Sequence, residues 1–129
     1  MSGDKLVAMR PFEHVRQDAE PISAIYRNLG APAAEQVVNR ALGELAMTVS
    51  AVARQVRRRD LSDLARRLRR LQGMAESLGM VSLGLVARDL RYCLDQSDVT
   101  GFSAVWARLL RVAEQSLSAD KGLLDLTRQ

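Results

Sequence analysis

Two apolar stripes, one behind the other, limit what this chain can fold into more than any other feature. Val38, Leu42, Leu45, Val49, Val52 and Val56 follow one another at spacings of 4, 3, 4, 3 and 4, and Leu61, Leu64, Leu68, Leu71, Ala75 and Leu78 at 3, 4, 3, 4 and 3. A helix returns to one face every 3.6 residues and a strand every two, so both runs read as helices with one buried side. Pro32 suits the first turn of the first helix, of about 25 residues. Asp60 is expected to cap the second and Asp63 to meet its dipole, with Gly79 ending it. Two further stripes follow, Leu83, Ala87, Leu90 and Leu94 over 81–95 and Phe102, Val105, Leu109, Val112 and Ser116 over 101–118. A short helix over 21–29, opened by Pro21 and stopped by Gly30, precedes them all.

Each helix has one apolar face to hide and only short connections to its neighbours. The pattern predicts an all-α chain, an antiparallel up-and-down four-helix bundle with a short additional N-terminal helix. Composition agrees, with 4% aromatic residues and three prolines in 129 residues. That leaves few strand formers in a chain of one domain's length. Residues 1–20 read as an irregular lead-in, 21–120 as the bundle and 121–129 as a tail. The expected core holds Leu45, Val49, Val52, Leu64, Leu68, Leu71, Leu90, Leu109 and Val112, with Trp106 and Cys93 packed in it or at its boundary.

Several kinds of chemistry have little to work with. Cys93 is the single cysteine and His14 the single histidine, so neither an internal disulfide nor a thiolate zinc site can be built, and no metal or cofactor is expected. Nowhere do 18 apolar residues run together, and the opening "MSGDKLVAMRPFEHV" lacks a signal-like apolar stretch. A cytoplasmic protein without membrane contact is the expectation.

Charge is unevenly spread. Residues 54–70 carry eight arginines against Asp60 and Asp63, a local balance of +6 in a chain of net charge +4. Such an island invites an acidic partner, although arginine also serves as a solvated helix face, and Arg66 and Arg70 at i, i+4 fit that description. Within the second long helix, Arg69, Gln72, Gly73 and Glu76 fall at i, i+3, i+4 and i+7, a strip beside the buried stripe. Glycine in mid-helix costs about 0.5–1 kcal/mol against alanine, so Gly73 needs a reason. It either admits a bulky neighbour inside the bundle or leaves a flat notch where a partner comes close to Arg69.

The run "RRRDLSDLARRLRRLQGMAESLGMVSLGLVARDL" resembles the heart of a histidine-containing phosphotransfer (HPt) domain: a helix with an acidic cap, then His-x-Leu-Lys-Gly, small residues, and a Leu-Gly ending before the next helix. Leu71 and Gly73 match the family leucine and glycine, and Ser77, Leu78 and Gly79 match the end of the motif. The likeness extends over residues 21–118. Two positions depart from it, because Arg69 stands where the family places its phosphorylated histidine and Gln72 where it usually places lysine. The family reaction uses neutral imidazole as a nucleophile toward an aspartyl phosphate. A guanidinium stays protonated and has no free lone pair, so Arg69 cannot replace it.

The resemblance therefore implies a binding module without enzymatic activity, docking a response-regulator receiver or a histidine kinase through Arg66, Arg69, Arg70, Gln72, Gly73 and Glu76. Two other readings compete with it. One is a homodimeric scaffold pairing through Val81, Leu85 and Val86. The other is polyanion or nucleic-acid binding by the arginine island, disfavoured by the lack of nearby aromatic residues for stacking and of any DNA-reading motif.

Overall fold

The computed structural model describes residues 15–128, with side chains as far as residue 118. The described residues form five helices: α1 (Glu20–Leu29), α2 (Ala31–Arg57), α3 (Leu64–Ser77), α4 (Val81–Asp95) and α5 (Val99–Arg128). The chain is all-α, as the periodicity predicts. Helices consecutive in sequence pack on one another, α3 on α4 and α4 on α5 most extensively, and α2 also touches α5.

The core follows the stripes. Val38, Leu45, Val52, Leu64, Leu68, Leu71, Leu83, Leu90 and Leu109 are fully buried, and Val112 nearly so. Val49, expected among them, is half-buried and packs against the cluster from its margin. Trp106 packs there too, and Cys93 is half-buried. Ile22 brings α1 onto this core, and the break between α1 and α2 comes at Gly30, whose φ of 79° suits a residue without a Cβ.

Further expectations fail at the helix ends. The second long stripe begins one turn late: α3 starts at Leu64, and Leu61 is 59% exposed. Asp60 does not cap the helix; its Oδ1 accepts the Ser62 N–H at 3.0 Å, closing a turn in the connection, and Asp63 enters α3 with a left-handed φ of 59° and no side-chain cap. Gln55, a buried polar residue on α2, braces that connection by donating from Nε2 to the Ser62 carbonyl. Next, α5 starts at Val99 rather than 101, because Asp98 Oδ1 accepts the Gly101 N–H at 2.9 Å. That is an N-cap, and the folded-back carboxylate would sit 2.2 Å from a Cβ on Gly101. Finally, α5 does not stop at Gly122 but continues to Arg128, so the expected tail is helical through that residue.

The segment before α1 is tied to the turn between α3 and α4. Arg16 N–H donates to Ser82 Oγ at 2.7 Å, Asp18 N–H donates to the Gly79 carbonyl at 2.7 Å, and Ser82 N–H reaches the Arg16 carbonyl at 3.3 Å. Gly79 has a φ of 75° and is buried under this segment. His14 and the residues before it lie outside the described residues.

Candidate functional site

Helix α3 presents the candidate surface because its buried and exposed faces separate cleanly. Leu64, Leu68, Leu71 and Ala75 face the core, so residues on the opposite arc are left to solvent. Arg66, Arg69, Arg70, Gly73 and Glu76 are exposed and Gln72 is half-buried. At about 100° per residue, Gly73 falls between Arg69 and Glu76 on one side and Arg66 and Arg70 on the other. The six residues expected to act together thus share one face of one helix, with Gln72 at its edge.

Packing among the described residues does not require Gly73, nor does it require Gly43, an exposed mid-helix glycine of α2. A Cβ placed on Gly73 would meet nothing within 4 Å, so it makes no room for a neighbouring helix. The tight glycine is Gly84 on α4, where a Cβ would stand 3.3 Å from Glu76 Cγ and 3.8 Å from the Gln72 carbonyl oxygen. The Gln72–Glu76 side of the strip therefore lies along α4, and Gln72 Nε2 donates to Glu76 Oε2 at 3.2 Å across the top of that contact. One turn beyond Gly73, the Ser77 hydroxyl donates to the Gly73 carbonyl at 3.0 Å. What remains at residue 73 is a bare stretch of helix backbone with arginines on both sides.

The electrostatics of the face are cationic and mostly unspent. Arg66 pairs with Asp63 at 3.3 Å, an exposed i, i+3 contact of the kind that contributes about 0–1 kcal/mol. Arg69 and Arg70 form no ion pair among the described residues. Arg54, Arg57, Arg58 and Arg59, from the end of α2 and the connection after it, are exposed as well, while Arg67 is half-buried. The face can accept a carboxylate or phosphate in the fork geometry of a guanidinium. It offers no nucleophile of its own at position 69.

Elsewhere the structure narrows the sequence reading. Of the apolar residues expected to mediate pairing, Val86 is fully buried, Val81 is half-buried, and only Leu85 reaches solvent, at 37% exposure. The reason is that α4 lies between α3 and α5 and buries two faces, so a residue beside its stripe is interior. Leu85 alone of the three is left exposed there. Among the described residues no three His, Cys, Asp or Glu side chains are grouped to hold a metal ion, and no helix is long and apolar enough to cross a membrane. Comparison with family models, with curated proteins and with solved structures finds no match to this chain.

Proposed function

We propose that this chain is an antiparallel four-helix bundle of the HPt type that has kept a docking face and lost its phosphoryl acceptor. In this reading it binds a response-regulator receiver, or the corresponding part of a histidine kinase, without taking phosphate from it. The observation that carries the proposal is where Gly73 stands: Gly43 of α2 is an equally open mid-helix glycine, but Gly73 lies one turn after Arg69 with Arg66 and Arg70 on its other side.

Docking of this kind depends on close approach. A partner loop can lie against helix backbone only where no side chain intervenes, and Gly73 supplies that opening. By the family resemblance, a receiver's active site is a cluster of carboxylates. Arg69 supplies a guanidinium to such a cluster where an HPt domain would supply imidazole, and Arg66 and Arg70 add positive potential that speeds encounter. Gln72, bonded to Glu76, brings no positive charge of the kind the family lysine brings. Such a module holds or occludes a receiver instead of relaying phosphate.

The test is a binding titration of the chain against purified receiver domains from its own organism. Binding should weaken as salt rises, since the Debye length falls from about 10 Å at 0.1 M to about 3 Å at 1 M. Gly73→Leu should weaken it further by filling the opening. Equal binding by the leucine variant would leave Gly73 without a part in docking.

A further inference from the structure

The connections α2–α3 and α4–α5 lie side by side at one end of the molecule, and between them opens a cleft of about 580 Å³. Its walls include Val56, Leu94 and Phe102, all half-buried, and its lips are Leu61 and Val99, which are 59% and 79% exposed. Leu61 and Val99 thus leave apolar surface beside the cleft that a partner could cover. The backbone of both lips is also held in the left-handed region, at Arg59 with a φ of 56° and at Ser97 with a φ of 54°. Residues with a Cβ avoid that conformation, so the two lips are shaped against local preference.

The charges of the lips are opposite. Arg57, Arg58 and Arg59 are exposed on the α2–α3 side, followed by Asp60 and Asp63, which leaves that side net positive. Asp95 and Asp98 are exposed on the α4–α5 side, and of all these Arg59 and Asp98 line the cleft itself. Asp98 is engaged with the Gly101 N–H, but Asp95 and the three arginines form no ion pair among the described residues. A partner surface of one sign would be attracted to one lip and repelled by the other. A second copy of this chain turned about a twofold axis brings the basic lip over the acidic one twice, because a twofold interface uses the same patch on both sides.

We propose that this cleft is where two copies of the chain pair, Leu61 of each entering the other's cleft and Arg59 of each meeting the acidic lip around Asp95. The pairing site differs from the Val81–Leu85–Val86 surface, which is largely interior. Its lining shares none of the six docking residues of α3, although Arg59 also belongs to the arginine island.

Sedimentation equilibrium on the full chain tests the proposal. The mass should rise from 14.3 kDa toward twice that value as concentration is raised to about 1 mM. Leu61→Asp should abolish the rise with helical circular dichroism unchanged, since Leu61 lies outside the core. Arg59→Asp and Asp95→Arg should each weaken pairing about tenfold or more, and mixing the two variants should restore it. Both substitutions suit their positions, aspartate tolerating the left-handed backbone and arginine favouring the end of α4. A monomer over the whole range would overturn the proposal. So would a dimer indifferent to Leu61→Asp, or reversed variants that fail to pair when mixed.

Discussion

Glu76 packs over Gly84: its Cγ lies 3.3 Å from the point a Cβ on Gly84 would occupy. Gly73, three residues before Glu76 on the same helix, has nothing within 4 Å of the corresponding point. One glycine thus serves the contact between α3 and α4, and the other serves solvent or a partner.

The two glycines should respond differently to alanine. Gly73→Ala should stabilise the fold by about 0.5–1 kcal/mol, the full helix-propensity gain, since nothing opposes the added methyl. Gly84→Ala should gain less, because Glu76 must shift, and Gly84→Leu should cost about 1–3 kcal/mol through overpacking. Urea denaturation of the three variants measures these differences.

Leucines of the buried stripe should outweigh the arginines beside them. Leu68→Ala or Leu71→Ala should each cost about 2–5 kcal/mol, the usual range for emptying a fully buried leucine site. Arg69→Ala should stay within about 0.5 kcal/mol of the native chain, as exposed substitutions do. Thermal melts that ranked Arg69→Ala as the more damaging would exchange the inside and outside faces of α3.

Gly79→Ala should be among the most damaging of the small substitutions. The residue has a φ of 75°, and its Cβ would fall 1.9 Å from the Asp18 carbonyl oxygen, which belongs to backbone and has little room to move. The left-handed conformation alone costs about 1–2 kcal/mol for a residue with a Cβ. The clash should add to that by loosening the bonds of Arg16 and Asp18 to the α3–α4 turn. A lowered Tm together with faster amide exchange at Asp18 is the expected result.

Asp98→Ala should cost about 0.5–2 kcal/mol by removing the cap from α5. Ser97→Gly, next to it, should raise stability by about 0.5–1 kcal/mol by relieving a left-handed backbone. Opposite signs at adjacent positions, read from denaturant midpoints, separate capping from backbone strain.

Helix periodicity is a local property, which is why α2, α3, α4 and most of the core were legible in the sequence. The failures lie where two local preferences compete or where packing decides. Asp60 had two donors within reach, a helix end or the Ser62 N–H, and the turn won, which left Leu61 outside. Val86 lies beside its stripe, and only the placement of α4 between two neighbours makes it interior. At Gly122 a single glycine, costing about 1 kcal/mol, was too weak a signal to end a helix. Gln55 gave no warning, because a glutamine at a core edge looks like any polar interruption until its carbonyl partner on Ser62 is placed. Of the candidate site, the exposure of Arg69, Gly73 and Glu76 followed from the stripe, while the openness around Gly73 required the positions of α2 and α4. The cleft at the α2–α3 end was not legible at all, since it joins residues about forty positions apart.

Docking without acceptance is decided by a phosphoryl-transfer assay with a receiver that binds the chain. Mixed with that receiver in phosphorylated form, the native chain should acquire no label, because Arg69 has no lone pair with which to attack phosphorus. Arg69→His combined with Gln72→Lys should acquire acid-labile label on the introduced imidazole, one turn before Gly73, with an ammonium at i+3 to meet the phosphoryl charge. Label appearing on the native chain at any residue would contradict the proposed function.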